Sequence, residues 1–299
     1  MSKVSYYIDS IVIDFNTTYQ SSNILVIHLK TDNDKLYMMP LIWGPVAVNE
    51  AELRYHYGQI ENIAMQYQTE PSAIAPLLPD CYRPGDKPTV TVWFGDNKDV
   101  DFMGGRGYRI AAVQVAVKFD GLKDHLEGDH VLVMFENDTV PIIGGREQSG
   151  VPKIYADIPE FQIGADGNAK CEASVWGQTL INLKTGPMQK TNALVRLAAS
   201  KMINSRHWLT YKYIPSVKGP PEVEYPMIFP SEIKVEELWR GKTAELAFGD
   251  IQKLSANNFP TYWRKLIEVL NTLPVRSITE LVHFKGSSVL RADLCRRLQ

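Results

Sequence analysis

Cysteine is scarce: the 299 residues contain only Cys81, Cys171 and Cys295, far apart and odd in number. They give neither a disulfide framework nor a pair at zinc-ligand spacing. A long apolar run is also missing. The most apolar stretch, residues 38–48, is interrupted by Pro40, Gly44 and Pro45, and a bilayer-spanning helix needs roughly 20 residues. The opening residues, MSKVSYYIDSIVIDF, alternate apolar and polar positions and lack the basic start and unbroken apolar core of a secretory signal. Neither charge sign dominates: 32 Lys and Arg stand against 34 Asp and Glu, a net charge of −2. A phosphate-backbone partner would leave a basic footprint, and there is none. Repeats, low-complexity tracts and long linkers are absent too. These absences predict a reduced, cytoplasmic protein with neither a membrane nor a nucleic-acid partner.

Strand patterns dominate what is present. Residues 5–15, 24–29, 89–94, 110–119, 130–135 and 173–183 are rich in β-branched and aromatic side chains. Turn clusters separate them, at 31–34, 80–87, 120–129, 136–138 and 164–168. Helical spacing is rarer and predicts helices over 70–78, 190–205, 260–271 and 287–298. This balance predicts an α+β fold, mainly antiparallel β, with an open sheet or barrel and a few peripheral helices. The chain reads as one domain over 1–299, with residues 1–50 as a candidate N-terminal β extension.

The most informative segment is 141–153. A β-branched run leads to Gly144 and Gly145, then Arg146, Glu147, Gln148, Ser149 and Gly150, and closes on Val151-Pro152-Lys153. Glycine permits close approach, and Pro152 fixes the backbone before the lysine. Apolar neighbours desolvate an amine and favour its neutral form, which is the nucleophilic one. Residue types alone leave an ordinary exposed loop lysine as the simpler reading.

This segment resembles the acetoacetate decarboxylase superfamily, whose Gly-Arg-Glu, short spacer and Pro-Lys correspond to Gly145-Arg146-Glu147 and Pro152-Lys153. Residues 69–79, 239–248 and Leu273-Pro274-Val275 resemble further family segments in order and spacing, so the likeness covers about residues 55–299. The resemblance implies a cone-like open β-barrel, a homo-oligomer, and a small keto-acid substrate held as an imine on Lys153. It implies no metal or organic cofactor, because the imine is itself the electron sink. An activated lysine in acetoacetate decarboxylase is a standard example of nucleophilic catalysis.

The chain also departs from the decarboxylases. Their glutamate two residues after a tyrosine falls at Ile110, counting from Tyr108. Their early arginine falls near Ile60, and the second lysine beside the nucleophile is Ile154. Without the charged pair that handles a substrate carboxylate, the resemblance favours the aldolase-dehydratase members over simple decarboxylation. A non-catalytic ligand-binding barrel is the reading from another class. The expected site is therefore Lys153 as nucleophile, Glu147 and Gln148 for proton transfer or water placement, and Tyr108, Arg109 and Arg146 for the substrate, with Arg54 as a further carboxylate partner. Apolar burial, with Arg146, is expected to favour the neutral amine. His125, Glu127 and His130 have a spacing open to metal binding, but read more simply as a polar hairpin tip.

Overall fold

The computed structural model describes residues 6–8, 11–13, 27–29 and 31–299. Contacts divide the chain into two compact units, residues 1–54 and 55–299. In the first, Tyr6–Ile8, Ile11–Ile13 and Ile27–Leu29 form a three-stranded antiparallel sheet. The rest of the strands expected over 5–15 and 24–29 lies outside the described residues. A Leu36–Ala47 bridge closes the loop that carries the broken apolar run. Asn49 then caps a 3-10 turn, Glu50–Leu53, by accepting from the Ala51 and Glu52 amides.

The second unit is built on one large curved sheet. Its principal strands are β1 (Arg54–Gln68), β2 (Thr89–Val100), β3 (Tyr108–Asp120), β4 (His125–Glu136), β5 (Lys153–Tyr155), β6 (Ala169–Val175), β7 (Gln178–Thr185), β8 (Trp208–Ile214), β9 (Val223–Phe229), β10 (Ser231–Arg240), β11 (Ala244–Phe248) and β12 (Ser277–Arg291). The large sheet runs β10-β12-β1-β2-β3-β4-β8-β9, with β5 parallel to β4. Among the main strands, β8 beside β4 is also parallel. Irregular register between β3 and β4 at Val113/Gln114, and between β10 and β12 at Val235/Glu237, bends the strands. The result is the α+β, mainly antiparallel open barrel that the resemblance implied: a sheet strongly curved but not closed.

Helices are few. The α1 turn (Pro71–Ile74), α3 (Ala193–Asn204) and α5 (Thr261–Leu270) fall where spacing predicts them. Two others were not predicted: α2 (Thr139–Glu147) and α4 (Ile251–Ala256). Residues 287–298 are a correction. They continue β12 to Arg291 and end in a 3-10 turn and a short strand, because Ser287–Leu290 pair with Ser231–Lys234 of β10. Pairing with a neighbouring strand overrides the local helical spacing.

The large sheet has two different faces. One packs on a smaller sheet, in which β6, β7 and β11 are neighbours, and on α4 and α5. Their interface holds Phe94, Val113, Phe135, Ile181, Leu183, Trp263 and Ile267. Burying each large side chain of this kind contributes about 1.5–3 kcal/mol. Trp263, Ile267 and Leu270 lie on one face of α5, which is what its spacing predicts. The other face curves round a small cavity.

Candidate active site

Strand β4 ends at Glu136, and β5 begins at Lys153. The chain between them must reverse direction twice to set β5 parallel to β4, with Met134 opposite Lys153 and Glu136 opposite Tyr155. Helix α2 makes that crossover. Asp138 starts it by accepting from the Val140 amide at 2.8 Å, and Pro141 sits in the first turn, where its missing N–H costs nothing. Gly150, at φ +63°, turns the chain out of the helix, and a Cβ there would overlap Lys212.

This crossover folds the lysine side chain back against the helix. Lys153 Nζ lies 2.8 Å from Glu136 Oε1 and donates to the Pro141 carbonyl at 3.1 Å. Glu136 is fully buried and Lys153 is 6% exposed, so both charges have left water. Neither Glu136 oxygen completes a well-angled hydrogen bond, so the contact is an ion pair, and Oε2 is buried without a partner. Burial pushes the Glu136 carboxyl above its ordinary range, and the Lys153 charge acts in the opposite direction. Gly145, from the Gly-Arg-Glu triplet, is required by this path: a Cβ there would overlap Lys153 Cδ and Cε.

The pair lines a cavity of about 70 Å³, room for roughly five water-sized groups at 10–15 Å³ each. Apolar walls come from Ile60, Trp93, Ile110, Met134, Trp208, Ile233 and Leu290. Neutral polar groups come from Tyr57, Asn62, Asn97, Tyr108, Ser231 and Ser288. The Tyr57 and Tyr108 hydroxyls share a hydrogen bond of 2.9 Å, and burial raises both above the ordinary phenol range, so they stay protonated. The Asn97 side-chain nitrogen is buried without a partner. A wider cleft shares Ser231, Ile233 and Ser288 with this cavity.

The sequence-derived residues distribute unevenly about this centre. Lys153 and Tyr108 line the cavity; Glu147, Gln148, Arg146 and Arg109 do not. The Gln148 side chain accepts from Tyr55 at the C-terminal end of α2. Glu147 lies in the last helical turn and acts electrostatically on Lys212. The carboxylate that meets the amine is Glu136 instead. The Arg146 guanidinium turns to the main chain and donates to the Lys153 carbonyl at 2.9 Å. Arg109 pairs with Asp96 at 3.4 Å and Glu160 at 2.8 Å, because it follows Tyr108 on the strand and faces away. Ile154 likewise packs on the core side of β5 rather than beside the amine. Ile60 and Ile110, at or near which the resemblance sets the family's charged pair, do line the cavity.

Sequence reasoning missed Glu136, because Glu-Asn-Asp after an apolar strand reads as a turn. The signal was its strand parity with Met134. The spaced His125, Glu127 and His130 have separate partners: Asp120, Lys118 and the Leu209 carbonyl. No group of metal-ligating side chains occurs among the described residues.

An open, mainly antiparallel barrel with a buried lysine on the wall of a small cavity defines the class of protein. The chain belongs to the acetoacetate decarboxylase family, whose model matches residues 39–292. Acetoacetate decarboxylase 1 of Bradyrhizobium diazoefficiens is 25% identical over 245 residues, covering 79% of this chain and 84% of that one. The crystal structure of acetoacetate decarboxylase from Legionella pneumophila is similar with a TM-score of 0.64 at 21% identity, over 82% of this chain and 87% of that one. The enduracididine biosynthesis enzyme MppR, solved with pyruvate, is similar with a TM-score of 0.63 at 14% identity, over 82% and 90%. These structural likenesses bear on the fold. No helix among the described residues is long and apolar enough to cross a membrane.

Proposed function

We propose that this chain is a Schiff-base-forming lyase that acts on a small carbonyl compound through Lys153, in aldol or dehydration chemistry rather than simple decarboxylation. The observation that carries this reading is the buried Lys153 amine, 2.8 Å from the buried Glu136 carboxylate on the wall of a small cavity. Glu136 takes the ammonium proton and leaves the amine free to attack the carbonyl carbon. The C–N bond forms as the carbonyl π pair moves to oxygen. That oxygen takes one proton from the attacking nitrogen and one back from Glu136 and leaves as water, giving an iminium. Loss of a proton from the neighbouring carbon then sends its electron pair to nitrogen as an enamine. Glu136, held above its ordinary range by burial, is suited to accept and return such protons. The enamine carbon can add to an aldehyde or expel a hydroxyl one carbon further on.

Decarboxylation is disfavoured because Ile60 and Ile110 occupy the positions of the family's charged pair, and both face the cavity. The catalytic reading concerns the second unit. Residues 1–50 as a β extension of a single domain, a homo-oligomeric state and a cytoplasmic location belong to the same proposal.

Solvent exchange tests the chemistry. Acetone incubated with the protein in D2O should gain deuterium at its methyl carbons faster than with Lys153→Ala, with Glu136→Gln intermediate or lower. Equal exchange by the parent and Lys153→Ala would remove the lysine from the mechanism.

A further inference from the structure

The cavity has a simple charge count. Among the described residues that line it, Lys153 is the only cation, and Glu136 already balances it. The arginines nearest in sequence are engaged elsewhere: Arg109 with Asp96 and Glu160, Arg146 with the Lys153 carbonyl. In the adjoining cleft, Lys234 pairs with Glu236, and Arg291 with Asp293 and Glu232. A carboxylate next to the reacting carbonyl would therefore leave a buried site with one uncompensated negative charge, which is costly.

Outside the Lys153–Glu136 pair, the unused donor capacity is neutral. Asn97 lines the cavity, and its side-chain nitrogen is buried without a partner. The two tyrosine hydroxyls hold two protons between them, and their mutual bond uses one. The second can be donated to a ligand. A buried donor without an acceptor is unfavourable until something supplies one.

Resting on the Lys153 reading, we infer that the substrate is an uncharged counterpart of the family's keto acids: a small carbonyl compound whose neighbouring group is a neutral hydrogen-bond acceptor, received by Asn97 and the Tyr57–Tyr108 pair. Alcohol, amide, ester and second carbonyl groups meet that description. A carboxylate at the same place does not.

Matched pairs of isosteric ligands test this. Pyruvate with pyruvamide, and acetoacetate with acetoacetamide, differ mainly in charge. Each is titrated against the full chain in the presence of borohydride at neutral pH. The adduct on the Lys153 peptide is quantified and referenced to trapping of the same carbonyl by a free lysine derivative. The amides should half-saturate the site at a concentration at least about tenfold lower than the acids. Acids that saturate at an equal or lower concentration overturn the inference while leaving the Schiff base standing. No Lys153 adduct with any of the four removes the lysine reading, and this inference with it.

Two variants separate the causes. Glu136→Gln removes the opposing charge, so the preference for amides should narrow or reverse; an unchanged preference shows that charge is not its origin. Asn97→Leu should raise the half-saturating concentration for pyruvamide several-fold, on the order of one lost hydrogen bond, and leave that for acetone unchanged. Equal weakening of both would make Asn97 structural and overturn its role in recognition.

Discussion

Lys153 and Glu136 depend on each other. Each is buried, and each is tolerated because the other lies 2.8 Å away. Removing one partner of such a pair costs about 3–5 kcal/mol, because the other charge is stranded. Lys153→Met should therefore destabilise the fold at neutral pH, although its side chain fills the same space. The loss should depend on pH in a definite sense. Burial already raises the Glu136 carboxyl, and the lysine charge is the main influence holding it down. Without that charge the folded form keeps its proton at pH values where the unfolded chain, with an ordinary glutamate near 4.3, has released it. The stability of Lys153→Met should fall as pH rises above about 4.3 and be closest to the parent's in acid. Adding Glu136→Gln should restore most of the loss at neutral pH. Chemical denaturation of the three variants across pH measures this, and a double variant less stable than Lys153→Met would show that the pair is not the reason.

At the scale of elements, α2 sets the geometry. It carries the reversal from β4 to β5, supplies the Pro141 carbonyl that accepts from Nζ, and leaves room for the lysine at Gly145. Gly145→Ala adds helix propensity, roughly 1 kcal/mol in an open helix. Here the new methyl takes the space of Lys153 Cδ and Cε. The variant should keep the circular dichroism spectrum of the parent and lose most of its capacity to trap carbonyl compounds, by at least about tenfold, since displacement of a reacting group by about 1 Å is that costly. Full trapping would show that the lysine does not depend on that path. Asp138→Ala removes the helix cap and should cost about 1 kcal/mol in denaturant titrations. A loss within error would show that the Asp138 bond contributes nothing to starting the helix. Little of this element was legible in the sequence. Two adjacent glycines and a proline argue against a helix, and only the crossover to a parallel strand requires one. The motif that ends in Lys153 was legible because it is local. Glu136 was not, because what identifies it is a partner seventeen residues later. Ile154, taken from the sequence as a neighbour of the amine, is a neighbour in chain order only: strand alternation turns it to the core.

Across the second unit, a curved sheet divides structure from chemistry. Its outer layer of small sheet and helices holds the apolar core, and its inner face holds the cavity. The alternating strands and α5 were legible because their patterns are local. The last strand was not, since pairing with β10 decides it. His130 reports on the sheet as a whole. It is buried between elements, with Nδ1 donating to the Leu209 carbonyl at 2.7 Å, and burial holds its imidazole below the ordinary value. On acidification the unfolded chain gains a proton there near pH 6.5, before the folded chain does. Stability should therefore fall as pH drops through about 6.5, and His130→Gln should flatten that part of the profile. A parent profile with no slope in that interval would contradict the burial of a neutral imidazole.

For the role of nucleophile, Lys153 has a rival in the same neighbourhood. Burial lowers the Lys212 ammonium from its ordinary value, although Lys212 stands outside the cavity and donates to the Gln148 carbonyl at 3.4 Å. The most direct measurement is peptide mapping by mass spectrometry after borohydride reduction in the presence of pyruvamide. A single reduced adduct on Lys153, absent from Lys153→Ala and undiminished in Lys212→Ala, is the expected result. An adduct on Lys212 or spread over surface lysines, with Lys153 unmodified, would contradict it.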